Sequence, residues 1–204
     1  MNTNRKCLGL RREDKSVWER RVAVTPQDAG TLRKAGIDVV VQPSSLRIFS
    51  DEEFLAVGAL VQEDLGACPI EIGIKEMKPE TFRQGGTYVF FSHTIKGQSY
   101  NMPMLKRLMD LGCNLIDYEK VTDENGKRLI FFGNFAGMAG MMETLVALER
   151  RMAWEGMATP LAALKRPLEY HNLEEAKEAV RVVGDGIRTE GFLPELAHVV
   201  CGFA

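Results

Sequence analysis

Short apolar, β-rich runs alternate along this chain with segments of helical pattern. KCLGL (6–10) is followed by TPQDAGTLRKAG (25–36), IDVVVQPS (37–44) and SDEEFLAVGA (50–59), and then by two further runs, IEIGIK (70–75) and TYVFFSH (87–93). NMPMLKRLMDLG (101–112) reads as a helix, NLIDYE (114–119) as a strand, and RLIFFG (128–133) as another strand after the turn DENG. This rhythm predicts an α/β fold, a mostly parallel sheet flanked by helices that bury each strand. Thr25 ahead of Pro26, and Ser50 ahead of three acidic residues, mark helix starts; Gly36 and Gly112 mark helix ends.

The texture changes beyond Phe135. One long helical pattern runs from there to about Gly156, opening with the small, apolar FAGMAGMM that invites close approach of another backbone. TPLAALKRPLEYHN is loop-like, NLEEAKEAVRVVGDGIRTEG an amphipathic helix, and HVVCGFA at the chain's end a strand. The expected division is 1–145 for a first domain and 146–204 for a connecting helix with the start of a second α/β domain.

A chain of 204 residues with 45% hydrophobic content has room for a sizeable core. Its 26 basic and 28 acidic residues are balanced, which gives no field to recruit nucleic acid or an anionic membrane surface. The longest apolar-leaning stretch is broken by Glu143, Glu149, Arg150, Arg151 and Glu155, too many charges for a membrane span. The N-terminus has no apolar signal region, so the expected address is the cytoplasm. Cys7, Cys68, Cys113 and Cys201 are widely separated, without Cys-x-x-Cys or histidine at zinc spacing, and are expected as reduced thiols with no metal.

The candidate chemistry lies where strands end. In a parallel sheet all strand C-termini share one edge, and ligands occupy the crevice outside it. IEIGIK stops on Lys75 and TYVFFSH on His93, so as neighbouring strands they would bring both residues to that crevice. Asp117 and Glu119 arrive there from NLIDYE, and Arg11, Arg12, Glu13, Arg20 and Arg21 from the segment after the first strand. Guanidinium groups suit carboxylates, and a lysine, a histidine and acids suit proton transfer at a carbonyl or imine. Lysine could equally form a Schiff base, and both residues could simply be solvated strand ends.

The stretch from Leu10 to about Met142 resembles the N-terminal domain shared by alanine dehydrogenase, the transhydrogenase α subunit and the saccharopine dehydrogenases. ERRVAVTP (19–26) is the shared signature, and LRRED, VVVQPS, VQEDL, YVFFSHTIKGQ, LIDYEKVTDENGKR and FFGNFAGMAGMM are most similar to lysine-ketoglutarate reductase, the saccharopine-forming enzyme. The resemblance implies a Rossmann-like substrate domain with Lys75 and His93 as the catalytic proton-transfer pair and Arg21 holding a substrate carboxylate. It implies Lys96 and Glu119 as supporting residues. The implied substrates are a small-molecule amino acid and a 2-oxo acid, and the implied parent reaction is their reductive condensation with NADPH or NADH. An alanine dehydrogenase- or transhydrogenase-like domain, or a non-catalytic amino-acid or oxo-acid binding or docking module, are the alternatives. GDG (184–186) lies within a helical pattern and HVVCGFA is followed by no Gly-rich turn, so no cofactor is expected on this chain and a cofactor domain is expected in cis or in trans. Oligomeric state, a homo-oligomer included, stays open.

Overall fold

The computed structural model describes residues 6–191. The expected strand HVVCGFA, with Cys201, lies outside them. The chain divides into two compact units, Met1–Phe131 and Phe132–Ala204. The division falls ahead of the long helix instead of at 145/146, because that helix is continuous from Gly133 and packs on the turns that follow it.

Unit 1 holds six parallel strands in the order β3-β2-β1-β4-β5-β6. They are β1 (Cys7–Leu10), β2 (Asp38–Val41), β3 (Leu60–Val61), β4 (Ile70–Ile72), β5 (Thr87–Phe90) and β6 (Asn114–Asp117), with helices α1 (Pro26–Lys34), α2 (Asp51–Ala56) and α3 (Met102–Asp110). The chain builds outward from β1 through β2 to β3, then returns to lay β4 on β1's other side. The crevice between the ends of β1 and β4 is therefore the point where strand order reverses, the usual ligand position in such sheets.

Alternation explains why both faces are covered. Val39 and Val41 join Leu10, Ala29, Phe54 and Ala59 in a core under α1 and α2, whereas Val40 points the other way, to Cys7, Leu65 and Cys68. Tyr88 and Phe90 pack with Met104 and Leu108 of α3, while Val89 and Phe91 pack with Ile72, Ile74 and Tyr118. The expected caps are present: the Thr25 hydroxyl accepts from the Asp28 N–H, and Ser50 with Glu53 forms a capping box. Gly36 and Gly112 follow α1 and α3 with positive φ, as helix ends require.

Two expectations are corrected, and one strand was not foreseen. RLIFFG is no strand: only an isolated antiparallel bridge, Thr122 to Arg128, forms there, and Leu129 and Phe131 are exposed. A third strand of two residues was too short to leave a pattern. Cys7 and Cys68, expected as thiols, are joined in a disulfide with Cα atoms 4.8 Å apart. Their separation of 61 residues hid the pairing, which arises because parallel β1 and β4 start side by side.

Unit 2 contains α4 (Gly133–Trp154) and α5 (Leu173–Glu190) with two short 3-10 turns between them. Val146, Leu161, Leu164 and Val183 form its core, joined by a cluster of Met142, Tyr170 and Ala176. At the glycines of FAGMAGMM, a Cβ on Gly137 or Gly140 would meet nothing within 4 Å among the described residues. GDG lies inside α5, as expected.

Candidate active site

Strand pairing continues past the regular ends of β4 and β5. Gly73 donates its N–H to the Val89 carbonyl (2.9 Å) and Phe91 to the Ile74 carbonyl (3.1 Å), so 73–76 and 91–93 leave the sheet together. Lys75 and His93 thus both sit at the C-terminal edge, next to the switch point. The register pairs Ile72 with Val89, and the same offset brings Glu76, not Lys75, opposite His93.

The lysine is held through its backbone. Buried Glu13, just after β1, accepts the N–H groups of Ile74 (2.7 Å) and Lys75 (3.0 Å), and Arg11 donates to the Lys75 carbonyl (3.4 Å). Burial pushes the Glu13 carboxyl up, against the pull of Arg11 and the two N–H groups. A side chain at Gly73 would break this clamp, since its Cβ would lie 2.8 Å from Arg11 Cδ. The half-buried Lys75 side chain makes no hydrogen bond or ion pair among the described residues. Its charge is felt at Glu19: burial raises the Glu19 carboxyl, but bonds from Arg21, with Lys75 contributing, bring it below its ordinary value.

His93 is held through its ring. Its Nδ1 lies 2.9 Å from Glu76 Oε1, and its backbone is left-handed, with φ of 49°. The same Glu76 oxygen accepts from Lys15 Nζ (2.6 Å) and from Asn101 Nδ2 (3.2 Å), which also donates to the Ser92 carbonyl (2.9 Å). Burial alone would raise the Glu76 carboxyl, yet the bonds from Lys15, its own backbone, His93 and Asn101 hold it at about 2. Glu76 Oε2 is buried without a partner among the described residues.

The remaining predicted residues are placed less centrally. Glu19 grips Arg21 through two bonds, Nε to Oε1 at 2.7 Å and Nη2 to Oε2 at 2.6 Å, although the Arg21 side chain stays 43% exposed. Arg12 is gripped likewise by Glu63, and Arg11 by Glu13 and Asp14, so these guanidinium groups meet protein carboxylates first. Arg20 donates to the Leu46 carbonyl. Glu119 pairs with Arg128 at 3.3 Å and donates its N–H to Asp117, whose other oxygen accepts from buried Ser92. Lys96 is exposed on the turn closed by Gly97 N–H to the Thr94 carbonyl (2.9 Å) and makes no ion pair among the described residues.

Sequence reasoning missed Glu76, Lys15 and Asn101. The available signal was Glu76 itself, adjacent to Lys75, but its partner depends on strand register. No group of three or more potential metal ligands exists among the described residues, and no helix there is long and apolar enough to cross a membrane. A dinucleotide does not fit the β1–α1 turn. It is glycine-free from Arg11 to Thr25, carries the carboxylates of Glu13, Asp14 and Glu19, and leads into a helix whose first turn is already capped by Thr25 and Asp28.

Comparison with known proteins fits this geometry. Alpha-aminoadipic semialdehyde synthase, mitochondrial, of Rattus norvegicus is 38% identical over 188 residues, which cover 92% of this chain and 20% of that protein. The NAD(+)-dependent, L-lysine-forming saccharopine dehydrogenase of Yarrowia lipolytica is 40% identical over 138 residues, covering 65% of this chain and 37% of that protein. The chain therefore spans a minor part of the length of these relatives. A solved structure of L-alanine dehydrogenase shares the fold with a TM-score of 0.56 at 19% identity, over 86% of this chain and 52% of that one. Residues 9–139, which include most of the sheet and the edge just described, match the family model for the N-terminal domain of alanine dehydrogenase/PNT, and this chain belongs to that family.

Proposed function

We propose that this chain is the substrate-binding and proton-transfer domain of an NAD(P)H-dependent amino-acid oxidoreductase of the saccharopine dehydrogenase type. The carrying observation is the edge where β4 and β5 end, which bears both Lys75, fixed through its amide by Glu13, and His93, whose Nδ1 is held by Glu76. The substrates are an amino acid and a 2-oxo acid. Their condensation moves protons repeatedly, as the amine adds to the carbonyl and water leaves to give the imine. Lys75 and His93 are the residues assigned to these transfers. With Nδ1–H donated to Glu76, the His93 Nε2 is the nitrogen that exchanges a proton with substrate. Arg21 meets a substrate carboxylate with its planar guanidinium, and Lys96 and Glu119 support it from the next turns. Hydride delivery belongs to a nicotinamide held outside this edge, whose residues do not suit a pyrophosphate.

The test is Lys75→Met and His93→Gln in the longer protein that carries this domain. Turnover falls by roughly two to four orders of magnitude in each, the usual effect of removing a general acid or base. Unchanged turnover in both removes the assignment. A second reading, a non-catalytic amino-acid or oxo-acid binding or docking module, is favoured by the internal carboxylate partners of Arg11, Arg12 and Arg21. It predicts that both variants bind the substrates normally and that the parent shows no turnover.

A further inference from the structure

A cavity of about 440 Å³ opens between the segment that follows β1 and the segment that follows β2, a size suited to a small molecule. Glu13 lines it and also accepts the N–H groups of Ile74 and Lys75, so the cavity and the Lys75 edge share one wall. Opposite charges stand two positions apart on that wall, Arg12 and Asp14. Val17 and Leu46, both exposed, add apolar surface. The Ser44 hydroxyl, also in the lining, accepts the N–H groups of Leu46 and Arg47 and keeps its own hydrogen to donate. Neither charged group is sealed by its protein partner. Arg12 meets Glu63 at 2.6 Å, but the two side chains are 39% and 63% exposed, and an exposed pair of this kind adds little stability and yields to a competing carboxylate. Asp14 is held by Arg11 and by Lys78 Nζ at 3.1 Å, and the Lys78 side chain is largely exposed. Burial raises the Asp14 carboxyl, but Lys78 and Arg11 bring it below its ordinary value, so it is charged at neutral pH.

We propose that this cavity binds the α-carboxylate and α-ammonium pole of the amino-acid substrate, with Arg12 taking the carboxylate and Asp14 the ammonium. The proposal rests on the reading that an amino acid reacts at the neighbouring edge. A carboxylate and an ammonium on one carbon need a guanidinium and a carboxylate close together, which Arg12 and Asp14 supply on one wall. The substrate carboxylate takes the place of Glu63 and keeps the two-point geometry of the guanidinium, and the substrate ammonium takes the place of Lys78. Val17 and Leu46 cover the methylenes that follow. An α-amine kept as ammonium beside Asp14 has no lone pair with which to attack the oxo acid. The reacting amine is therefore a second one, carried past Glu13 to the Lys75 edge at the end of the side chain. The substrate class is an α-amino acid with an amine-terminated aliphatic side chain.

The experiment is calorimetric titration of the 204-residue chain with L-lysine and three probes that each lack one of its charged groups. L-Norleucine lacks the terminal amine, cadaverine the α-carboxylate and 6-aminohexanoate the α-amine. L-Norleucine binds within a few-fold of L-lysine, whereas cadaverine and 6-aminohexanoate bind roughly tenfold more weakly, the effect of losing one charged hydrogen-bonding partner. Arg12→Gln erases the advantage over cadaverine, and Asp14→Asn the advantage over 6-aminohexanoate. No saturable binding of L-lysine overturns the proposal, as does equal binding of all four compounds or an unchanged ranking in both variants. Where a variant fails to fold, the ranking by the wild-type chain decides. Turnover of the Lys75 and His93 variants in the longer protein is a separate measurement, so the proton-transfer assignment and this binding site can each fail without the other.

Discussion

Replacing Glu76 with glutamine probes the group that holds His93. The wild-type carboxyl titrates at about 2 where a glutamate ordinarily titrates at 4.5. At about 1.4 kcal/mol per tenfold change in proton affinity, this corresponds to roughly 3 kcal/mol favouring the folded state at neutral pH. Lys15, its shortest partner, is 46% exposed, so part of that is screened by solvent and about 2 kcal/mol is the expected loss. The sign follows from a depressed value: the stabilisation is complete above pH 4.5 and disappears as pH falls through 2, about half of it between pH 4.5 and 3. Urea unfolding followed by circular dichroism from pH 3 to 7 measures it. At pH 7 the Glu76→Gln midpoint drops by about 1 M, taking a slope of about 2 kcal/mol per molar, and the gap to wild type narrows steadily below pH 4.5. A gap of constant size across that range would refute the reasoning, because the stabilisation would then not come from the charged carboxylate.

Three other outcomes follow from the same geometry. Gly73→Ala forces a Cβ to within 2.8 Å of Arg11 Cδ and should cost about 1–3 kcal/mol in a urea melt, the usual penalty for overpacking; a neutral result would show that Arg11 can move without loss. Arg21→Lys keeps the charge but loses the two-point grip on Glu19, and in the longer protein it should raise KM for the oxo acid several-fold, since lysine cannot reproduce a planar fork; an unchanged KM removes Arg21 from the substrate site. Titration of this chain with NADH or NADPH, read by cofactor fluorescence, should show no saturable micromolar binding; observing it would place a dinucleotide site on residues that do not suit one.

The fold was legible because its pattern carries little ambiguity. A strand buried on both faces must be apolar at every position, and Val39, Val40 and Val41 are, with alternate members serving opposite cores. Helix starts were legible because Thr25 and Ser50 act locally, on N–H groups three residues away. RLIFFG misled for the converse reason: an apolar run becomes a strand only where a sheet edge receives it, and none does. The positions of Lys75 and His93 were readable as strand ends, but their partners were not, because partners are set by register. Register here is fixed far from the site, by Tyr88 and Phe90 seating against Met104 and Leu108. Sliding β5 by one residue would set Lys75 opposite His93, the pairing the sequence invites. It would also turn those two fully buried rings to the opposite face of the sheet. Each aromatic side chain displaced from a core costs roughly 3–5 kcal/mol, more than the Glu76 contacts supply, so packing beneath α3 decides which carboxylate the histidine meets.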